Sequence, residues 1–253
     1  MARGDETALV TGATSGIGRE FAEQLAQRGY GLVLVARDAE RLERVQSELI
    51  SRYALPVEVI VADLLEASGL ESVEQRLAAR PVRVLVNNAG FGLKEPFEAQ
   101  PIEQEDRHLD IHVRVPMRLM HAALPGMVAQ GAGNIINVAS VAAFTPRGSY
   151  GAVKSWVVSF SRWANNRYRA NGVHVTAVCP GFVHTEFHQR LGAGLDDIPE
   201  WMWLEPGQVV AEGLADAGRG RSVSIPSLRY KALIGLSRLA PSAITQRAAA
   251  RGR

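Results

Sequence analysis

Short apolar runs alternate along this chain with stretches whose apolar positions recur at helical spacing. Residues 7–11, 32–36, 57–62, 82–86, 134–138 and 173–178 read as strands. Residues 18–28, 39–51, 68–79 and 150–170 read as helices, and 102–128 as mostly helical. The strands are continuously apolar, the mark of strands buried on both faces. Strands alternating with helices predict a doubly wound, mostly parallel α/β sheet with helices on both faces. Residues 182–204 carry neither pattern and read as irregular. No linker, repeat or low-complexity segment interrupts the pattern, so one domain is expected over residues 1–253.

Composition adds mainly exclusions. With 28 basic and 26 acidic side chains the net charge is +2, which gives no global case for a nucleic-acid or membrane partner. At 47% apolar but only 6% aromatic, the core is expected to be aliphatic. Cys179 is the sole cysteine, so no internal disulfide can form, which fits a reducing compartment. Residues 1–6 are polar and run straight into the first strand, without the apolar stretch of a signal peptide. No apolar run approaches the roughly 20 residues of a membrane span. A cytoplasmic protein without an integral membrane segment is the expectation. Lysine occurs only as Lys94, Lys154 and Lys231, which makes each one informative.

The first strand ends in Thr11-Gly12-Ala13-Thr14-Ser15-Gly16-Ile17-Gly18, and a helix follows. Glycines let a turn adopt unusual dihedrals and let phosphate oxygens approach the backbone. The helix N-terminus then offers N–H groups and a positive dipole end to a pyrophosphate. The T-G-x-x-x-G-x-G spacing resembles the short-chain dehydrogenase/reductase family, and further motifs recur in the same chain order. These are Asp63 at a strand end, Asn87-Asn88-Ala89-Gly90, Tyr150 with Lys154, and Pro180-Gly181 followed by Thr185. The resemblance implies a Rossmann-type fold and a nicotinamide cofactor. It implies cofactor contacts at Gly12, Thr14, Ser15, Gly16, Ile17, Gly18, Asp63, Leu64, Asn88, Ala89, Gly90, Tyr150, Lys154, Pro180, Gly181, Val183 and Thr185, and no metal. Asp63 would bond the adenine amino group, although an N-cap or turn residue reads equally from its position. After the second strand, an NAD site usually has a carboxylate for the ribose hydroxyls. Here the strand ends in Val35-Ala36-Arg37, and Arg37 suits a 2′-phosphate. Asp38 is expected to cap the next helix. NADP(H) is therefore expected in preference to NAD(H).

Tyr150 and Lys154 lie four apart, on one face of a helix. Moving a hydride to a carbonyl needs a proton donor for its oxygen. A free phenol, with a pKa of roughly 10, needs nearby positive charge to serve near neutrality. The resemblance gives that work to Tyr150, with Lys154 tuning it and binding ribose, and Ser140 orienting the substrate oxygen. Two departures stand out. Ser140 and Tyr150 are ten apart, a few fewer than usual, so residues 141–149 must turn more tightly. His112 also stands where the family has an asparagine, whose backbone carbonyl holds a relay water. Pro116, lacking an N–H, would leave the His112 carbonyl open to that water. The His112 imidazole itself could exchange protons.

Phe187, Leu191, Ile198, Trp201, Met202, Trp203 and Leu204 crowd the segment that covers substrate in the family, taken here as residues 182–204. A bulky, apolar ketone, aldehyde or secondary alcohol is the expected substrate, with ordinary core or subunit packing as the competing reading. His184 and His188 read as surface residues, and Cys179 as a core residue. Residues 225–253 form a C-terminal extension whose apolar, basic part at 229–239 reads as a packing helix rather than a surface anchor. The resemblance implies a homodimer or homotetramer built through the helices at 102–128 and 150–170. The function expected is an NADP(H)-dependent oxidoreductase. The alternative is a catalytically impaired NADP(H)-binding regulatory or scaffold protein, which His112 and the short Ser140–Tyr150 interval alone support.

Overall fold

A computed structural model describes residues 6–187 and 198–237. Seven parallel strands form the central sheet in the order β3-β2-β1-β4-β5-β6-β9. They are β1 (Thr7–Thr11), β2 (Gly31–Ala36), β3 (Val57–Val61), β4 (Val84–Asn87), β5 (Gly133–Val138), β6 (Val173–Val178) and the short β9 (Val223–Ser224). The order reverses between β1 and β4, whose C-terminal ends open the crevice in which doubly wound sheets bind ligands.

Helices cover both faces. They are α1 (Gly16–Gln27), α2 (Ala39–Tyr53), α3 (Ala67–Ala79), α4 (Ile102–Leu109), α5 (Val115–Ala129), α6 (Gly148–Tyr168), α7 (Pro206–Gly218) and α8 (Leu228–Ser237). Alternate residues of β1 serve opposite cores. Ala8 and Val10 pack with Phe21 and Leu25 of α1, whereas Leu9 packs with Leu70 of α3 and Leu119 of α5. This two-sided burial is why the strands read as unbroken apolar runs.

Three differences from the sequence reading have physical causes. The segment 182–204 holds two short paired strands, β7 (Phe182–Val183) and β8 (Trp203–Leu204), too short to leave a period. The helix expected over 102–128 is broken by a π turn at Asp110–Arg114, where the Val115 N–H reaches the Asp110 carbonyl. Pro116 follows at the start of α5 and has no N–H to give to the His112 carbonyl. Finally, α6 begins at Gly148, before Tyr150 rather than on it. Among the described residues, no helix is long and apolar enough to cross a membrane.

Candidate active site

The turn after β1 is built for a close backbone approach. Gly12 and Gly16 sit at φ +66° and +53°, a region that glycine enters without strain. A Cβ on Gly18 would overlap the Gly12 carbonyl oxygen. Ser15 is the N-cap of α1, yet its side chain makes no capping bond and no acid lies in the first turn. The N–H groups and positive dipole end of α1 therefore remain available to an anion, as a dinucleotide pyrophosphate requires. Thr14 is half-buried on the same turn, and Ile17 packs against the core beneath it.

The Asn88 amide donates to the carbonyls of Thr11 (3.0 Å) and Gly12 (3.2 Å). Thr11 Oγ1 in return accepts from the backbone N–H groups of Asn88 and Ala89, each at 3.0 Å. Asn88 thus fastens the β4 end to the glycine turn and spends its amide on backbone. Thr185 lies over Gly16, where a Cβ would come within 3.1 Å of it. The Val141 N–H donates to the Pro180 carbonyl (2.9 Å), tying the Pro180–Gly181 turn to the residue after Ser140. The Val183 side chain is buried in the core.

At the end of β2, the Asp38 carboxylate accepts the Arg41 N–H (3.0 Å) and caps α2, as expected. Arg37 is 68% exposed at its side chain, with Nη1 3.6 Å from Asp63 Oδ2. Asp63 Oδ1 accepts the Leu65 N–H (3.0 Å), so this aspartate does shape the turn after β3. Leu64 is buried against the α3 face.

Ser140, Tyr150 and Lys154 converge although their segments are separate in sequence. Ser140 caps a short 3-10 turn, Val141–Phe144, by accepting the Ala142 N–H (3.1 Å). That turn and Gly148, at φ +57°, take up the short interval and start α6 early enough to present Tyr150. The Ser140 hydroxyl lies beside Tyr150 and favours its ionised form. Lys154 Nζ lies 5.7 Å from the Tyr150 ring centroid and donates to the Val138 carbonyl (2.9 Å).

Burial dominates the protonation of this group. It raises the Tyr150 pKa, against the Ser140 hydrogen bond and the Arg147 charge. It pulls Lys154 down to about 7. In the chain without cofactor the Tyr150 phenol is thus raised, because its own burial outweighs the lowering by Ser140 and Arg147. Cys179, a core residue beside the site, is pushed up to about 12 by burial. A cavity of about 10 Å³, lined by Asn87, His112, Pro116, Val138 and Lys154, has room for one water. Asn87 Oδ1 is buried there without a protein partner.

His112 is buried, with Nε2 2.8 Å from the Phe91 carbonyl. A carbonyl only accepts, so Nε2 carries the proton. Burial first, then the Lys154 charge, hold the imidazole pKa well below its usual value. A neutral ring with its one proton committed is placed to position groups rather than to exchange protons near neutrality. Gly90 serves this ring: a Cβ there would lie 3.0 Å from His112 Nδ1 and closer still to Cε1.

Sequence reasoning missed His108. It lies on α4, one turn before His112, with ring centroids 4.6 Å apart, and 5.9 Å from the Tyr150 ring. The four-residue spacing from His112 was the available signal.

Of the described apolar residues in 182–204, Phe187 makes a ring contact with Tyr150, at 6.5 Å. Leu204 and Met202 belong to the core. Trp203 stacks on His184 (4.7 Å), and Trp201 is exposed. Leu191 and His188 lie outside the described residues.

The short chain dehydrogenase family profile matches residues 6–196. Sulfoacetaldehyde reductase 2 of Chromohalobacter salexigens is 39% identical over 216 residues, 82% of this chain and 84% of that protein. The short-chain dehydrogenase of Sphingobium yanoikuyae, solved in complex with NADPH, is 36% identical with a TM-score of 0.85, covering 92% of this chain and 93% of that one. The bulky-bulky ketone specific alcohol dehydrogenase of Comamonas testosteroni is 33% identical with a TM-score of 0.80, covering 92% of each chain. With the glycine turn, the Ser140–Tyr150–Lys154 group and these likenesses together, the chain belongs to the short-chain dehydrogenase/reductase family, oxidoreductases that use a nicotinamide cofactor on alcohols and carbonyls.

Proposed function

We propose that this protein is an NADP(H)-dependent reductase of bulky, largely apolar ketones or aldehydes, or a dehydrogenase of the matching secondary alcohols. The observation that carries the reading is the meeting of Ser140, Tyr150 and Lys154 in one group. The cofactor would lie along Gly12–Gly18, Arg37, Asp63–Leu64, Asn88–Gly90 and Pro180–Thr185, and when bound it supplies or takes the hydride. Ser140 orients the carbonyl oxygen, and the Tyr150 hydroxyl gives it a proton. Lys154, its pKa pulled down to about 7 by burial, draws a replacement proton through the cavity that Pro116 and His112 border. The orphaned Asn87 Oδ1 supplies an acceptor for a water at that place.

The preference for NADP(H) rests on Asp38 being occupied as a helix cap, which leaves Arg37 as the charge at the ribose end. The NADPH-bound Sphingobium relative agrees with it. The bulky substrate rests on Phe187 beside Tyr150 and on the ketone named for the Comamonas enzyme. A homo-oligomer through α5 and α6 is proposed from their exposed Met117 and Trp163, and sedimentation of a single monomer species would refute it. The test of activity is loss of reduced-nicotinamide absorbance with NADPH and a panel of ketones, for wild type and Tyr150→Phe. Turnover that vanishes in the variant supports the reading. Tight NADPH binding with no turnover of any carbonyl or alcohol favours the binding-protein alternative.

A further inference from the structure

His108 has no solvent exposure, and both of its ring nitrogens are buried without a hydrogen-bond partner. A neutral imidazole carries one donor and one acceptor, and leaving both unmet in a protein interior is unfavourable. Phenylalanine would fill the same space without that cost, and the surroundings suit it. The His108 ring packs edge-on to Phe91 (6.0 Å) and His112 (4.6 Å) and tilts over Tyr150 (5.9 Å). Among the described residues the two nitrogens have no partner, which leaves them for a bound water or a ligand. Such local violations belong to functional sites.

We propose that His108 is a specificity residue that hydrogen-bonds a second oxygen of the substrate, a hydroxyl or carbonyl next to the carbon that Tyr150 serves. This deepens the reductase reading and rests on it. The Tyr150 hydroxyl takes the reacting oxygen, and the His108 ring, its centroid 5.9 Å from that of the Tyr150 ring, is the neighbouring polar group for a second one. His112 cannot do this work with its N–H, because that is committed to Phe91. Burial and the Lys154 charge lower the His108 pKa to about 4, so it stays neutral at physiological pH. It therefore reads an uncharged oxygen by hydrogen bonding and offers no ion pair to a carboxylate or sulfonate. The substrate class is an α-hydroxyketone or a vicinal diketone on an otherwise apolar frame.

The test compares kcat/KM for phenylacetone and its α-hydroxy counterpart, phenylacetylcarbinol, in wild type, His108→Phe and His108→Gln, with Tyr150→Phe as control. The wild type is expected to favour the hydroxyketone. His108→Phe should lower the hydroxyketone-to-ketone ratio at least about tenfold, the order of one buried hydrogen bond. It should leave the plain ketone within about threefold and the melting temperature unchanged or raised. His108→Gln, which keeps a donor and an acceptor, should retain part of the preference. If the ratio is unmoved in both variants, or both substrates fall together, the His108 assignment is overturned while Tyr150-dependent ketone turnover leaves the reductase reading standing. Absence of any Tyr150-dependent carbonyl turnover in wild type overturns both.

Discussion

Gly90→Ala tests how closely the cofactor loop is fitted to His112. The glycine has no need of a positive φ, so alanine brings no backbone strain, and its whole effect comes from one added methyl. That methyl would stand 3.0 Å from His112 Nδ1, 3.2 Å from Nε2 and nearer to Cε1. Ordinary carbon contacts are roughly 3.5–4.0 Å. The ring cannot retreat easily, because it is hydrogen-bonded to Phe91 and packed against His108 and Tyr150. Overpacking of this kind costs about 1–3 kcal/mol, and loss of the Phe91 hydrogen bond adds about 1 kcal/mol. For a chain of this size, each kcal/mol lowers the melting temperature by roughly 2–4 °C. Gly90→Ala should therefore melt about 4–16 °C below wild type. The same change made in a His112→Asn background should cost less than about 0.5 kcal/mol, since the smaller side chain vacates the space. Thermal unfolding of the four proteins forms a double-mutant cycle. Equal cost of the alanine in both backgrounds would show that the loop, not the ring, sets the need for glycine, and would refute the reasoning.

Arg37→Ala should raise KM for NADPH about tenfold, the order of one charge-assisted hydrogen bond, with little change for NADH; steady-state kinetics with both cofactors decide it. Lys154 is held at about 7 when folded, against roughly 10.4 unfolded, so between those values the unfolded chain binds more protons and stability rises with pH. Melting curves of wild type minus Lys154→Met should accordingly climb from pH 7 to pH 9.5, and a flat difference contradicts the assignment. Tyr230 Oη donates to the Met202 carbonyl (2.8 Å) and accepts the Phe182 N–H (3.1 Å). Tyr230→Phe keeps the ring against Gly181 but removes both bonds. It should destabilise by about 1–2 kcal/mol and raise the cofactor KM, and an unchanged KM would separate α8 from the cofactor loop.

What could be read from the sequence follows the range of the interactions involved. Strands buried on both faces announce themselves as apolar runs, so all six long strands were readable. The boundary of β4 moved to Val84–Asn87 because Val82, though buried, precedes the pairing with β1. The cofactor turn and the Ser140–Tyr150–Lys154 group were readable because fixed residues carry them. Asn88 lies beside the glycine turn, and its amide holds the two strand ends together, which only the hydrogen bonds reveal. The substrate cover was the least legible part. Its aromatic residues divide among core, surface and active site according to contacts that have no period, and among the described ones Phe187 reaches Tyr150.

His112 shows how a departure from a family pattern can be absorbed by its neighbours. An imidazole is larger than the usual asparagine side chain, and three features accommodate it. Gly90 leaves room for the ring, the Phe91 carbonyl takes its proton, and His108 packs against its face. Pro116 meanwhile withholds the N–H that would engage the His112 carbonyl, and the helix answers with a π turn at that place. The relay expected from the family resemblance asks only for a backbone carbonyl at 112, a group that any side chain there leaves in place. The side chain at 112 is then released from the relay and can hold a second histidine against the catalytic tyrosine. On this reasoning, His112 is a wall-forming residue rather than a sign of lost chemistry, and it packs beside His108, whose two ring nitrogens have no partner among the described residues.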